Sequence, residues 1–353
     1  MQLLSLPQDK GLERKRVQIM VNMAQVYWRI GQGEAAVDVW QQVMRMAEAM
    51  RDDELWVVSA VGLCAINIQI AKPEEALKYS KMAYYKAPDN PDTMQSLGDA
   101  YYKLGNEEEA MKWWHRTLEK KPNSAFTYEC MARCYAFQQD YETAERYFQK
   151  VIDIDPEDHT VYGSLGNMYL TQERYKEAIE QYKKLIRIQT GEHLPFNNLA
   201  NCYMRMGNYD KARRYFEKSI KTNRNEALWP NIGLGLVYRR LPEGKGLAKS
   251  KAHFERALQI YEKGNAKFHS TMTGHESRYA MALAGLGDER AVAVWQSVLD
   301  DLKNDGVFDY PLLVDCIHSL KVLAECDDPP PNVDTILDML EEERQNQHNG
   351  TQA

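Results

Sequence analysis

Apolar residues recur along most of the chain at the spacing of amphipathic α-helices, and the pattern itself repeats every 34 residues. In the four most regular copies, between residues 91 and 226, a first predicted helix carries a large apolar residue and a tyrosine, and a second one carries an alanine and another large aromatic residue. Two neighbouring copies are in register at Leu97, Tyr101, Ala110, Trp114 and Pro122, and at Met131, Tyr135, Ala144, Phe148 and Pro156. The pattern predicts a series of helix pairs that stack on one another.

The residue types agree with this interpretation. Small residues recur where paired helices must approach closely, at Ala110, Ala144, Ala178 and Ala212. Gly105 supplies a turn inside a pair, and Pro122 lies between pairs, where one helix must stop. Since one pair cannot bury its own apolar face, stability has to come from stacking on neighbours.

The 34-residue helix-turn-helix with these apolar, small and proline positions resembles the tetratricopeptide repeat (TPR). The resemblance implies an all-α protein, a right-handed α-solenoid (superhelix) of about eight TPR units with a C-terminal capping helix. The units are expected near 17–50, 57–90, 91–124, 125–158, 159–192, 193–226, 228–264 and 265–300. Residues 1–16 are expected to be an N-terminal lead-in, 301–344 capping helices and 345–353 a disordered tail.

Composition narrows the class of protein. The net charge of −7 and a pI near 5.7 argue against nucleic-acid binding, which usually needs a basic stripe. No apolar run reaches the roughly 20 residues that span a bilayer, and the first residues do not read as a secretory signal. We therefore expect a cytoplasmic protein, with a periplasmic or secreted protein whose signal was removed as the alternative.

The sequence contains no complete motif of a phosphate-binding loop, a zinc protease or a serine hydrolase. Gly244-Lys245-Gly246 lacks the upstream glycine and the following hydroxyl residue of a phosphate-binding loop, and HExxH and GxSxG do not occur. His269, His275 and Glu276 could touch a metal, but a solvated loop between repeats explains them. We expect no enzymatic activity, no cofactor and no metal.

The family resemblance also indicates a binding surface. In TPR proteins the first helix of each unit lines the concave surface, and certain positions face into the groove. By resemblance, these positions between 126 and 205 hold Phe126, Glu129, Arg133, Phe137, Asn167, Asn197, Asn201, Met204 and Arg205. Amides can pair with a peptide backbone, and aromatic and methionine side chains can fill pockets. We expect these nine residues to bind a partner.

The two arginines in an acidic chain favour a protein or peptide segment that carries an acidic residue. The clamp that binds the C-terminal tails of Hsp90 and Hsp70 is not matched, because Gly163 stands at its first lysine position. The leading hypothesis is a non-enzymatic scaffold or adaptor. A substrate-recognition or regulatory module of a larger protein and an envelope secretion or assembly factor remain alternatives.

Overall fold

The computed structural model describes residues 10–188, 194–222, 228–242, 245–264, 272–304 and 310–350. These residues form eighteen α-helices and contain no strand. The helices are α1 (Lys10–Arg29), α2 (Gly33–Met50), α3 (Asp53–Gln69), α4 (Pro73–Lys86), α5 (Pro91–Lys103), α6 (Glu107–Lys120), α7 (Ala125–Phe137), α8 (Tyr141–Ile154), α9 (His159–Thr171), α10 (Tyr175–Ile188), α11 (Leu194–Arg205), α12 (Tyr209–Thr222), α13 (Leu228–Arg239), α14 (Leu247–Gly264), α15 (Met272–Leu286), α16 (Ala291–Asn304), α17 (Tyr310–Ala324) and α18 (Val333–Gly350). The all-α prediction is confirmed.

Consecutive helices form pairs, for example α5 with α6 and α9 with α10. The second helix of one pair then contacts the first helix of the next, as α4 contacts α5 and α10 contacts α11. Both its own partner and the preceding second helix contact each of the first helices α3, α5, α9, α11, α13 and α15. This is the nearest-neighbour stacking of a repeat protein.

The turn inside a pair uses a left-handed residue. Gly105 has φ +75°, and the N–H of Asn106 then donates to the main-chain oxygen of Tyr101 at 2.9 Å. This geometry satisfies carbonyls that the end of a helix would otherwise leave unpaired. Gln139 takes the same conformation without being glycine, at φ +62°.

Small residues allow the two helices of a pair to approach each other. Ala110, Ala144, Ala178 and Ala212 are fully buried. In the first helices, a Cβ on Gly98 would lie 2.5 Å from the ring of Trp114, and one on Gly166 would lie 2.5 Å from the ring of Tyr182. The aromatic side chain of the second helix thus fills the space that each glycine leaves.

The chain divides into two compact units, Met1–Met131 and Ala132–Ala353, called here the N-terminal and C-terminal units. The terminal helices extend beyond the expected array boundaries, because α1 begins at Lys10 and α18 ends at Gly350. Residues 345–350, which we expected to be disordered, continue α18. The good helix formers Glu341, Glu342, Glu343 and Arg344 directly precede this segment.

Candidate functional site

In the C-terminal unit, the side formed by the first helices α9, α11, α13 and α15 is called here the first-helix face. Helix α17 lies against this face, where it contacts α9, α13 and α15. Its apolar residues Leu313, Ile317 and Leu320 are at most 1% exposed and share one buried cluster with Met204 of α11. Helix α17 is therefore part of the core of this unit as well as its cap.

An ion pair fixes α17 to α11. Asp315 accepts a hydrogen bond from the guanidinium of Arg205, whose side chain is only 4% exposed. Arg278 of α15 lies close to the same carboxylate. Burial lowers the pKa of Arg278, and the charge of Asp315 opposes that shift. The charges of arginines from two first helices thus act on one carboxylate of α17.

The C-terminal end of α17 is held by two arginines at the end of α13. Arg239 donates from Nη2 to the main-chain oxygen of Asp328 at 2.6 Å and from Nε at 3.1 Å. Arg240 donates to the main-chain oxygen of Glu325. Cations at this position also interact favourably with the helix dipole. The sequence prediction of a capping helix did not indicate that its end would be fixed to α13.

This arrangement corrects the expected role of four residues. Asn197, Asn201 and Met204 were expected to face an open groove, but they are 5%, 5% and 3% exposed. Arg205 binds the chain's own Asp315. Among the described residues, no hydrogen-bond partner reaches Oδ1 of Asn197, Oδ1 of Asn201 or Nη1 of Arg205. The array's own last helix pair thus occupies part of the surface where we expected a partner.

The remaining predicted contact residues differ in solvent exposure. Phe126 is 57% exposed, whereas Glu129, also in the N-terminal unit, is buried. In the C-terminal unit, Arg133 and Asn167 are exposed and Phe137 is half-buried. Oδ1 of Asn167 accepts a hydrogen bond from the hydroxyl of Tyr182 at 2.7 Å.

First helices of the N-terminal unit are linked by a polar network. The hydroxyl of Thr127 donates to Gln95 at 2.7 Å, and Nε2 of Gln95 donates to Asp99, also at 2.7 Å. Nε1 of Trp114 donates to the same oxygen of Asp99 at 3.0 Å. These contacts orient the polar side chains of α5 and the start of α7.

The described residues contain neither a cluster of metal ligands nor a helix that could cross a bilayer. No group of three or more histidine, cysteine, aspartate or glutamate side chains among them could hold a metal ion. His269 and the side chain of His275 lie outside the described residues. No helix in the described segments combines the length and the apolarity that crossing a bilayer would require.

Sequence reasoning missed Asp315, Arg278, Arg239 and Arg240. A clue was present, because Asp315 interrupts an otherwise apolar run, Leu312-Leu313-Val314-Asp315-Cys316-Ile317. A carboxylate in such a run must be paired when the helix is buried. The identity of its partners could not be read from spacing, since Arg205 lies 110 residues away.

Three family models described as tetratricopeptide repeats match the chain, at residues 92–121, 123–191 and 195–226. These matches fall on consecutive helix pairs from α5 to α12. This is a tetratricopeptide repeat protein. Among curated proteins, no sequence matches the TPR chain significantly.

One solved structure with a TM-score above 0.5 supports the fold of this TPR protein, and two others are less similar. A tetratricopeptide repeat protein from Parabacteroides merdae is similar with a TM-score of 0.51 at 16% identity, over 76% of this chain and 99% of that one. PilF from Pseudomonas aeruginosa has a TM-score of 0.47 at 16% identity, over 60% of this chain and 96% of its own. MamA from Desulfovibrio magneticus has a TM-score of 0.41 at 21% identity, over 49% and 96%.

Proposed function

We propose that this TPR protein is a non-enzymatic scaffold that holds a segment of a partner protein on α7. The repeats and the structural relatives support a protein-interaction scaffold in general. The proposed contact residues are Arg133 and Phe137, which remain accessible on the part of α7 that belongs to the C-terminal unit.

One observation carries this proposal. Arg133 and Phe137 are four positions apart on α7, so at 100° per residue they lie about 40° apart on one side of the helix. They form a short row of one helical turn with a cation next to an aromatic ring. Aromatic and arginine side chains are the types that dominate binding energy at protein interfaces.

The charge of the row indicates the chemistry of the partner. Arg133 is exposed and forms no ion pair with a described residue. In a chain of net charge −7, an unpaired exposed arginine favours a segment with a carboxylate next to an apolar residue. Asn167 remains a proposed secondary contact, because it is exposed on the next first helix, α9.

The test begins with capture of binding proteins from a lysate by the intact chain and their identification by mass spectrometry. Arg133→Glu should weaken binding of the identified partner at least tenfold, about 1.4 kcal/mol. The melting temperature should not fall, because the side chain of Arg133 is exposed.

Arg146→Glu is the matched control. Arg146 is also exposed, but it belongs to the second helix α8, so the same charge change should leave binding intact. Equal affinity of Arg133→Glu and the parent chain would refute α7 as the site. Binding lost equally in Arg146→Glu would show that only the overall charge matters.

A further inference from the structure

One side of α1 carries three large apolar residues in contact with solvent. Ile19, Met23 and Val26 are 60%, 42% and 56% exposed. Their spacing of four and three residues places them in one row along the helix, called here the α1 ridge. The opposite side of α1, which includes Val17 and Ala24, is buried in the core shared with α2.

The turns give all first helices a common register. Gly31 and Gly105 have φ of +76° and +75°, and Gln32 and Asn106 donate to Tyr27 and Tyr101 in the same way. In this register the ridge residues correspond to Thr93, Leu97 and Ala100 of α5. Those three residues are 0%, 1% and 0% exposed.

The same three positions are buried in other first helices as well. They are Ser59, Leu63 and Ile66 in α3, Val161, Leu165 and Met168 in α9, and Pro195, Leu199 and Cys202 in α11. Each of these helices is contacted by the second helix of the preceding pair, namely α2, α8 and α10. Helix α1 is preceded by no helix among the described residues. The α1 ridge is thus the surface that a preceding second helix covers elsewhere in the array.

The charge of α1 differs from that of the chain. Its sequence contains Lys10, Arg14, Lys15, Arg16 and Arg29 against the single carboxylate of Glu13, a net charge of +4. Lys15 and Arg16 are exposed beside the α1 ridge and make no ion pair with any described carboxylate. A basic helix in a chain of net charge −7 favours an acidic occupant.

We propose that the α1 ridge docks an acidic amphipathic helix of a partner protein, seated where the second helix of a preceding pair would lie. A second copy of this chain fits less well, because pairing α1 with itself would bring two charges of +4 together. Helix α18 is acidic, but its apolar residues Val333, Ile336 and Leu340 are buried in the C-terminal unit. This surface is separate from the row on α7, and neither proposal depends on the other.

The chain itself supplies a probe. Helix α8 is a second helix with acidic residues on both flanks, and it contacts α9, whose ridge positions Val161, Leu165 and Met168 resemble Ile19, Met23 and Val26. A labelled synthetic peptide of residues 140–158 contains seven carboxylate side chains and two basic ones. Its fluorescence anisotropy should rise and saturate when the full chain is added.

Substitutions in the α1 ridge should remove this binding. Met23→Glu, and independently Ile19→Glu, should weaken binding of the peptide at least tenfold while circular dichroism and melting temperature stay unchanged. Met206→Glu is the matched control. Met206 is 43% exposed, as Met23 is 42%, but it lies in the C-terminal unit, so the affinity should not change.

The electrostatic contribution to peptide binding can be measured separately. Lys15→Glu/Arg16→Glu should weaken peptide binding at least tenfold, and so should replacement of the peptide's carboxylates by amides. Higher salt should also weaken it, because exposed charges are screened.

Four results would overturn the proposal. The first is the absence of saturable peptide binding by the parent chain. The second is an equal loss of peptide affinity in Met23→Glu and Met206→Glu. A dimer of the chain that Met23→Glu dissociates in light scattering would show that a second copy covers the ridge. A tenfold gain in peptide affinity after deletion of residues 2–9 would show that the chain covers its own ridge.

Discussion

At the residue scale, close contact between glycine and aromatic rings sets how near the helices of a pair can lie. Helix α9 contains two glycines in different surroundings. A Cβ on Gly166 would lie 2.5 Å from the ring of Tyr182, whereas one on Gly163 would meet only Leu185, at 3.7 Å. Two substitutions in one helix therefore separate packing from helix propensity.

Gly166→Ala should destabilise the protein by about 1–3 kcal/mol, because the added methyl group has no room beside Tyr182. Gly163→Ala should be neutral or stabilising by up to about 1 kcal/mol, since alanine favours a helix over glycine. Urea unfolding followed by circular dichroism measures both. If the two variants unfold at the same urea concentration, the close contact with Tyr182 does not contribute.

Removing the carboxylate of α17 should be costly. Asp315→Ala leaves the buried guanidinium of Arg205 without its partner, and we expect a loss of about 3–5 kcal/mol. Asp315→Asn should lose less, because the amide oxygen still accepts a hydrogen bond. Asp338→Ala, at an exposed position of α18, should stay within about 0.5 kcal/mol of the parent chain.

The environment of His318 predicts a pH dependence of stability. Burial, followed by the charge of Arg205, lowers the pKa of His318 below its ordinary value of 6.5. The unfolded chain then binds a proton more readily than the folded one as pH falls below about 6.5. This contribution to stability is present above that pH and is lost as pH falls toward the lower pKa of the folded state.

His318→Gln should therefore show a smaller loss of stability between pH 7 and pH 5 than the parent chain. Denaturant unfolding at several pH values measures the two slopes. His318 also lies 3.4 Å from Glu173, and the Glu173 charge acts in the opposite direction. A steeper slope in the variant would mean that this ion pair outweighs burial.

At the element scale, the sequence predicted the helix pairs well and the place of the last pair poorly. The pairs follow from local features: alanine and glycine at close contacts, a tyrosine at the same position of α1, α5, α7, α9 and α11, and a turn at Gly105. The position of α17 follows from contacts with residues far away in sequence, such as Arg205 and Arg239. No local pattern encodes those contacts, so an expected open groove proved to be partly filled.

The position of α17 predicts coupling across several helix pairs. Ile317→Ala should lower amide-exchange protection in α9, α13 and α15 together, because α17 contacts all three. Leu97→Ala is the matched control in a first helix with neighbours α3, α4 and α6, and it should lower protection only around those helices. If Ile317→Ala lowers amide-exchange protection only in α17 and α18, the coupling is contradicted.

At the scale of the whole molecule, the last helix pair decides how much apolar surface the C-terminal unit presents to water. Met204 and Ile232 share one buried cluster with Leu313 and Ile317, so removing α17 and α18 uncovers them. A chain ending at residue 304 should bind the dye ANS several-fold more strongly than the parent chain, as exposed apolar surface does. A chain ending at residue 344 keeps most of α18 and should bind ANS as the parent does.

Because α17 is synthesised long after the helices that it covers, its position also affects the nascent chain. Helix α17 is completed about 150 residues after α9 has left the ribosome. At about 5–20 residues per second, this leaves an interval of roughly 8–30 s. Throughout it, the apolar side chains that α17 will cover stay open to chaperones and to other nascent chains. Until its last two helices emerge, this TPR protein is a potential chaperone client.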